Sequence, residues 1–154
     1  EVYISDISEE KLTFAEKMGI RHTILNRSKE ALLDAVSQAT DGDFFDVCIE
    51  ATGVPEAFVD CIDAAAFQGR IVDVGVSKRN ADFRYTEIQR KELNIMGSRA
   101  ALKTDFLQTI QWVKEGKADL SRIISREYPM EKAEEAFKDL DANSSEILKM
   151  IFKF

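Results

Sequence analysis

The residues of this sequence that could do chemistry stand directly after short apolar runs. Asp6 follows such a run at residues 2–5. An acid at this place can accept hydrogen bonds from both hydroxyls of an adenosine ribose and repel a 2′-phosphate, so it would select NAD over NADP. The alternative interpretation of Asp6 is a solvated acid at a strand end or part of a helix cap.

Three further places carry groups that suit a dinucleotide. The hydroxyl of Thr52 can donate to a phosphate or a ribose, and Gly53 permits close approach of a ligand to the backbone. Gly75 would let the backbone lie along a flat ring, and Arg99 offers a fork of donors for a pyrophosphate. The alternatives are a plain turn at Thr52 and Gly53, a packing glycine at Gly75 and a solvated arginine at Arg99. What favours one site is that every candidate follows an apolar run.

These apolar runs alternate with amphipathic helical patterns, whose starts are marked by Ser8 and Ser28 and whose ends include Gly19 and Gly69. Strands and helices that alternate over short connections predict a doubly wound parallel α/β sheet with right-handed crossovers and both faces covered. Ligands bind beyond the carboxyl ends of such strands, where the candidates stand. The predicted strands cover residues 2–5, 23–25, 46–51, 70–76 and 93–98.

The pattern is less regular towards the end of the chain. A short edge strand and turn are predicted near residues 83–88, and Thr104 is predicted to cap the next helix. Another helix is predicted over residues 131–140, and alternation over residues 148–154 predicts a final strand. The apolar stripe predicted for the helix after Thr104 consists of Phe106, Leu107, Ile110 and Val113.

Composition excludes several functional classes. The chain has 154 residues with 21 Lys and Arg against 28 Asp and Glu, and its net charge of −7 disfavours binding to nucleic acid or anionic lipid. No apolar run approaches the ~20 residues of a membrane span and no leader pattern is present, so a cytoplasmic location is expected. His22, Cys48 and Cys61 are too few for a conventional zinc site.

Four motifs, in this order, resemble the cofactor-binding lobe of medium-chain, zinc-type alcohol dehydrogenases, in the polyol, sorbitol and threonine dehydrogenase branch. They are DISEEKL at residues 6–12, IEATG at 49–53, VGV at 74–76, and EIQRKEL at 87–93 leading to Gly97 and Ser98. The resemblance implies a Rossmann-like fold over residues 1–118 as part of an NAD-binding domain. It implies that residues 119–154 form a helix and strand that return towards a separate catalytic lobe.

The resemblance also implies which residues bind NAD. Asp6 would hold the adenosine ribose, Ile7 would line the adenine pocket, and Lys11 would lie near the ribose or its phosphate. The nicotinamide half would be contacted by Thr52, Gly53, Val74, Gly75 and Val76. Ser98 and Arg99 would close over the nicotinamide and the pyrophosphate.

The implied activity is the oxidation of a secondary alcohol, of a polyol or sugar-acid kind, by hydride transfer to NAD. No catalytic residue or metal ligand is assigned to this chain, because the zinc of the family is held by the other lobe. The resemblance further implies a homo-oligomer joined through the edge strand at residues 93–98.

One element of a dinucleotide site is not found. The pattern G-x-G-x-x-G is expected about 20 residues before the ribose acid, yet only five residues precede Asp6 and no such glycine pair occurs. We therefore expect a sheet without its first strand and glycine-rich loop, in a fragment of a longer protein. On this interpretation the chain alone binds NAD poorly and is inactive.

Two other functional classes stay open from the residues. A methyltransferase also places an acid after its second strand, to hold the ribose of S-adenosylmethionine, but the chain shows no polar-Pro-Pro-aromatic motif. A non-catalytic regulatory α/β domain of the phosphoacceptor type needs a set of acids and a late lysine, and no such set stands out.

Overall fold

The computed structural model describes all residues, 1–154. The helices are α1 (Glu9–Lys17), α2 (Lys29–Ala39), α3 (Pro55–Ala64), α4 (Thr86–Arg90), α5 (Lys103–Lys114) and α6 (Ala133–Ala142), with single 3₁₀ turns at Leu120–Ile123 and Met130–Lys132. The strands are β1 (Tyr3–Asp6), β2 (His22–Leu25), β3 (Phe45–Glu50), β4 (Ala65–Asp73), β5 (Asn94–Gly97), β6 (Ile124–Pro129) and β7 (Lys149–Lys153). None of the helices combines the length and the apolar character that crossing a membrane would require.

Every strand pairing is parallel, as the sequence predicts. The pairings fall into three sheets, β1 with β2, β3–β4–β5, and β6 with β7. Because parallel neighbours need a crossover between them, each pair of consecutive strands is separated by a helix. The α/β class with a Rossmann-like parallel arrangement is therefore confirmed.

The chain divides into two compact units. Unit 1 contains Glu1–Leu25 and Ala101–Phe154, and unit 2 contains Asn26–Ala100. In unit 1 the hydroxyl of Ser8 caps α1 by accepting a hydrogen bond from the amide of Lys11, at 3.3 Å. Leu12 and Ala15 of α1 are buried, so the face of the helix that carries them is the face that packs.

The core of unit 2 lies between the three-stranded sheet and α3. Ile71 of β4 stands in register with Cys48 of β3 and Ile95 of β5, and its side chain is fully buried. Ile62 of α3 is also fully buried, and α3 packs against β3 and β4. Pro55 begins α3 at a position where a missing amide hydrogen costs nothing.

The end of α3 is held by a buried lysine. The ammonium of Lys91 donates to the carbonyls of Ile62, Asp63 and Ala65 at 3.0, 2.7 and 2.8 Å. Those carbonyls have no partner within the helix, and a cation is favourable at the helix C-terminus. The Lys91 side chain also lies over the ring of Phe44, at 5.2 Å from its centroid. Lys91 thereby joins the segment after α4 to the point where α3 passes directly into β4.

Two predictions in the less regular part of the chain are wrong in detail. Residues 83–88 form no strand, because the short helix α4 begins at Thr86 and is supported by an ion pair between Glu87 and Arg90. Thr104 lies inside α5, whose first residue is Lys103. The actual cap is the carboxylate of Asp105, which accepts from the amide of Leu102 at 2.7 Å. The predicted stripe of α5 is more than 40% exposed at every position.

Candidate functional site

A cavity of about 430 Å³ opens in unit 2 at the carboxyl ends of β3, β4 and β5. We call it the strand-end cavity. One side is formed by the first turns of α3, including Pro55 and Phe58. Six of the sequence-predicted cofactor residues line it, namely Gly53, Val74, Gly75, Val76, Ser98 and Arg99. The topology thus brings together residues that lie up to 46 positions apart in the chain.

The loop after β3 is organised by a carboxylate that the sequence interpretation did not single out. Glu50, the last residue of β3, is 3% exposed. Its Oε1 accepts hydrogen bonds from the amide and the hydroxyl of Thr52, at 2.6 and 2.5 Å, and from the amide of Gly53 at 3.0 Å. Glu50 also lines the cavity. An acid at the end of a buried strand, two residues before Thr-Gly, is the sequence signal that could have found it.

Two glycines meet beside this carboxylate. A Cβ on Gly75 would stand 2.1 Å from Oε2 of Glu50 and 2.2 Å from the amide nitrogen of Gly53. A Cβ on Gly53, whose φ is +72°, would stand 2.6 Å from the carbonyl oxygen of Val76. Both positions therefore require glycine, and the ends of β3 and β4 approach each other backbone to backbone.

Hydrogen bonding keeps Glu50 ionised. Burial by itself raises the pKa of this carboxyl group. The hydrogen bonds from Thr52 and from the amides of Gly53 and Gly75 outweigh burial, so the pKa of Glu50 lies below its ordinary value. A buried carboxylate that accepts several backbone donors needs no cation beside it.

Thr52 and Arg99 differ in their position relative to the strand-end cavity. Thr52 is exposed and is not among the residues that line the cavity, and its hydroxyl is engaged by Glu50. Arg99 lines the cavity and is exposed, and the preceding residue, Ser98, donates its amide to the carbonyl of Asp73 at 2.8 Å. That bond continues the pairing of β4 with β5 to the cavity edge.

A second arginine lines the cavity. Arg79 makes a two-pronged ion pair with Glu56 in the first turn of α3, at 3.1 and 2.8 Å. The carboxylate of Glu56 accepts a hydrogen bond from the backbone amide of the same residue. This bond and the ion pair with Arg79 both lower the pKa of Glu56. The pair is exposed on both sides, so its effect on stability is small, while its two-pronged geometry fixes the direction of the guanidinium.

The remaining three predicted residues lie together in unit 1, after β1. Asp6 ends this strand, and its Oδ1 accepts the amide of Ser8 at 2.9 Å, which makes it part of the turn into α1. Ile7 is 82% exposed, unusually open for an isoleucine. Lys11 stands in the first turn of α1. One carboxylate oxygen of Asp6 thus takes part in the turn before α1, as the helix-cap interpretation expects.

Two of the implied cofactors can be compared with the residues present. The glycine pair at 53 and 75 leaves a wall of bare backbone, which fits a flat ring such as nicotinamide. For zinc, the chain holds no group of three or more His, Cys, Asp and Glu that could bind a metal ion. His22, the only histidine, stacks on Tyr3 with ring centroids 4.6 Å apart.

Sequence comparison finds relatives over nearly the whole chain. Residues 1–115 match a family model described as zinc-binding dehydrogenase. An uncharacterized zinc-type alcohol dehydrogenase-like protein of Haemophilus influenzae is 31% identical over 94% of the chain. L-Threonine 3-dehydrogenase of Idiomarina loihiensis is 27% identical over 94% of the chain. (R,R)-Butanediol dehydrogenase of Neisseria gonorrhoeae is 27% identical over 97% of the chain. The chain spans 42% of the length of each of these three relatives.

Solved structures agree on the fold. L-Idonate 5-dehydrogenase of Escherichia coli superposes on the whole chain with a TM-score of 0.84 at 23% identity. A short chain alcohol dehydrogenase of E. coli CFT073, complexed with NADH, does so with a TM-score of 0.88 at 24% identity. The chain corresponds to 43% and 44% of these two proteins. On the family match over residues 1–115, the chain belongs to the zinc-binding dehydrogenases.

Proposed function

We propose that this chain is the NAD-binding lobe of a zinc-dependent medium-chain dehydrogenase that oxidises a secondary alcohol by hydride transfer. In this proposal residues 1–118 belong to the NAD-binding domain. Residues 119–154, with β6, α6 and β7, return towards the catalytic lobe. A structural relative solved with NADH and the family match support the choice of cofactor.

The observation that carries the proposal is the bare backbone at the strand-end cavity. Gly53 and Gly75 have no room for a side chain, and Val74 and Val76 flank them with apolar groups. A nicotinamide ring presents a flat face that can lie along such a wall, and its carboxamide can exchange hydrogen bonds with backbone groups. Ser98 and Arg99, at the end of β5, would reach the nicotinamide and the pyrophosphate.

We assign the adenosine half to the residues after β1. The carboxylate of Asp6 would accept the ribose hydroxyls and reject a 2′-phosphate, and the exposed side chain of Ile7 would cover the adenine. The ammonium of Lys11 would lie near the ribose or its phosphate. Bound NAD supplies the acceptor for the hydride. This chain contributes binding and orientation.

The substrate class rests on the relatives. The names of two relatives give their substrates, which are threonine, oxidised at carbon 3, and butanediol. Both substrates present a secondary hydroxyl group. A polyol or sugar acid is the proposed class, and L-idonate, named for a structural relative, fits it. Polarising the substrate oxygen would need the zinc of the remaining protein, since this chain offers no metal site.

The proposal also includes a homo-oligomeric assembly and a cytoplasmic location. Strand β5 pairs with β4 on one side only, so its other edge presents backbone groups to a second copy. The net charge of −7 supports a small-molecule substrate over nucleic acid or a membrane surface. Light scattering coupled to size exclusion tests this assembly, and a protein that is monomeric at all concentrations would contradict it.

A ligand titration of the 154-residue chain tests the cofactor assignment. NADH is titrated with detection by ligand fluorescence, and S-adenosylmethionine by calorimetry. We expect saturable NADH binding weaker than micromolar, because the sequence holds no glycine-rich phosphate loop, and no binding of S-adenosylmethionine. The matched variants are Gly75→Val, whose side chain would collide with Glu50 and the amide of Gly53 and so deform the cavity wall, and Asp34→Val, at an exposed position of α2 that does not line the cavity. An NADH signal that survives Gly75→Val, or S-adenosylmethionine binding, would overturn the assignment.

A further inference from the structure

The carboxylate of Glu50 brings a negative charge into the wall of the strand-end cavity. This side chain is 3% exposed and lines the cavity. Its donors are the amide and the hydroxyl of Thr52 and the amide of Gly53, which approaches Oε2 at 3.3 Å as well as Oε1 at 3.0 Å. All of these donors are neutral groups. They therefore hold the carboxylate in place without cancelling its charge.

Backbone hydrogen bonds fix this charge against the part of the wall that we assign to the nicotinamide. The carbonyl of Glu50 accepts from the amides of Val74 and Gly75, at 2.8 and 3.1 Å. Its Oε2 would stand 2.1 Å from a Cβ on Gly75, so the carboxylate lies directly against this bare backbone. A ring that lies along the backbone of Gly75 would therefore be close to the charge.

The other charged side chains at the cavity do not offset Glu50. Arg79 is held by its ion pair with Glu56, and both side chains are exposed. Arg99 is exposed, and we assign it to the pyrophosphate, which the oxidised and reduced cofactors share. Asp73, at the end of β4, is half-buried and has the same sign as Glu50. Because water screens exposed charges more strongly than buried ones, Glu50 dominates the field at this wall.

We propose that Glu50 is a specificity-determining residue for the redox state of the cofactor, and that its charge raises the affinity of the strand-end cavity for NAD relative to NADH. The inference rests on the proposed function, because it needs the nicotinamide at the backbone of Gly53 and Gly75. The oxidised ring is a cationic pyridinium, whereas the reduced ring is neutral. The remainder of the two molecules is identical. In an alcohol dehydrogenase this preference favours loading of the oxidised cofactor and release of the reduced one.

The size of the effect follows from the size of the cavity. A volume of about 430 Å³ corresponds to a sphere about 9 Å across, so a ring inside it lies within about that distance of Glu50. At an effective dielectric constant of about 20, two unit charges change an equilibrium about tenfold or more at separations up to about 10 Å. We therefore expect removal of the charge to change the relative affinity by about tenfold or more.

Binding measurements on the 154-residue chain test the proposal. NADH is titrated with detection by its fluorescence, NAD is measured by displacement of NADH, and the ratio of the two dissociation constants is compared between variants. In Glu50→Gln we expect the dissociation constant for NAD to rise about tenfold or more relative to that for NADH. Glu92→Gln removes the same charge from an exposed site just before β5, at the opposite end of the sheet, and should change the ratio less than about twofold. Circular dichroism checks that each variant is folded.

The ratio separates an effect of charge from an effect of structure. A merely deformed cavity weakens both cofactors alike, so an unchanged ratio in Glu50→Gln would overturn the proposal. The chain's net charge of −7 also repels NADH more than NAD, but salt screens the field of exposed groups. We expect the effect of Glu50→Gln to persist from about 0.1 to about 0.5 M sodium chloride, over which the Debye length falls from about 10 to about 4 Å. Loss of the effect at high salt would contradict the assignment to a buried charge.

A second probe uses the unsubstituted chain, so its result does not depend on the folding of a variant. Benzamide adenine dinucleotide carries a neutral ring with the shape of the oxidised nicotinamide. We expect it to bind about tenfold or more weaker than NAD, and the gap to narrow in Glu50→Gln. Equal affinities for NAD and this analogue would overturn the inference and leave the cofactor site in place. A chain that shows no saturable NADH binding would instead overturn the proposed function, and this inference with it.

Discussion

The carboxylate of Glu50 and the backbone of Gly75 are fitted to each other so closely that no Cβ can stand between them. The ideal Cβ position on Gly75 lies 2.1 Å from Oε2 of Glu50. This contact joins the end of β3 to the end of β4 at the wall of the strand-end cavity. The stability of the cavity and its shape therefore depend on the same two residues.

Replacing Glu50 by glutamine is expected to destabilise the fold. Glutamine has one acceptor oxygen, which can keep the donors of Thr52 at the Oε1 position, but its NH₂ group would then replace Oε2, where the amide of Gly53 also donates at 3.3 Å. Leaving buried donors unsatisfied costs about 1–3 kcal/mol in the free energy of unfolding. Urea unfolding followed by circular dichroism measures this loss. Glu56→Gln, at an exposed ion pair, is the control and should change stability by less than about 1 kcal/mol.

An alanine at position 75 tests the close approach of the two strand ends. Gly75→Ala places a methyl group within 2.2 Å of the amide nitrogen of Gly53, so the loop after β3 must move. We expect a loss of about 1–3 kcal/mol, the range typical of overpacking, seen as a lower thermal midpoint. Gly97→Ala is the matched control, since a Cβ there meets nothing within 4 Å. Equal midpoints for the two variants would show that the approach is looser than described.

The lowered pKa of Glu50 predicts a particular loss of stability in acid. The folded form holds this carboxylate deprotonated at pH values where the unfolded chain, with a pKa near 4.5, already binds a proton. Its contribution is therefore present above about pH 4.5 and is lost as the pH falls through the lower pKa of the folded state. Unfolding free energies between pH 3 and pH 7 should fall more steeply for the unsubstituted chain than for Glu50→Gln. Parallel curves would refute this assignment.

Removing the charge at Lys91 is expected to loosen the end of α3. Lys91→Met keeps the apolar stem but leaves the carbonyls of Ile62, Asp63 and Ala65 without their donor. A loss of about 2–4 kcal/mol is expected, since these are charge-assisted bonds in a buried place. Chemical denaturation measures it. Lys138→Met, which breaks only an exposed pair with Glu134, should cost about 0.5 kcal/mol or less.

We expect Asp6 to decide which dinucleotide the proposed dehydrogenase uses. In the protein that carries this lobe, Asp6→Ala should raise the KM for NAD about tenfold or more and reduce the discrimination against NADP, because the ribose loses a charged acceptor. Steady-state kinetics with both cofactors measures the two effects. Asp34→Ala, an exposed acid on α2, provides the control. If NAD and NADP kinetics are the same before and after Asp6→Ala, the role given to Asp6 is wrong.

The features that the sequence predicts well are those determined by near neighbours. Ser8 and Ser28 cap α1 and α2 as expected, because a cap involves only residues within one turn. The role of Glu50 was not predicted, because it depends on Gly75, which is brought near by the pairing of β3 with β4. The strand predicted near residues 83–88 failed for another reason. Its pattern was weak, and a local ion pair at Glu87 favours a helix.

The direct passage from α3 into β4 has a consequence for how this chain can change in length. Ala64 ends the helix and Ala65 begins the strand, so no spacer residue absorbs an insertion between them. One added residue would turn the following strand over, sending Ile71 from the core to solvent, because strand faces alternate with a period of two. Variation in length is therefore expected at exposed turns such as 41–43, and this junction should keep its length in any functional relative.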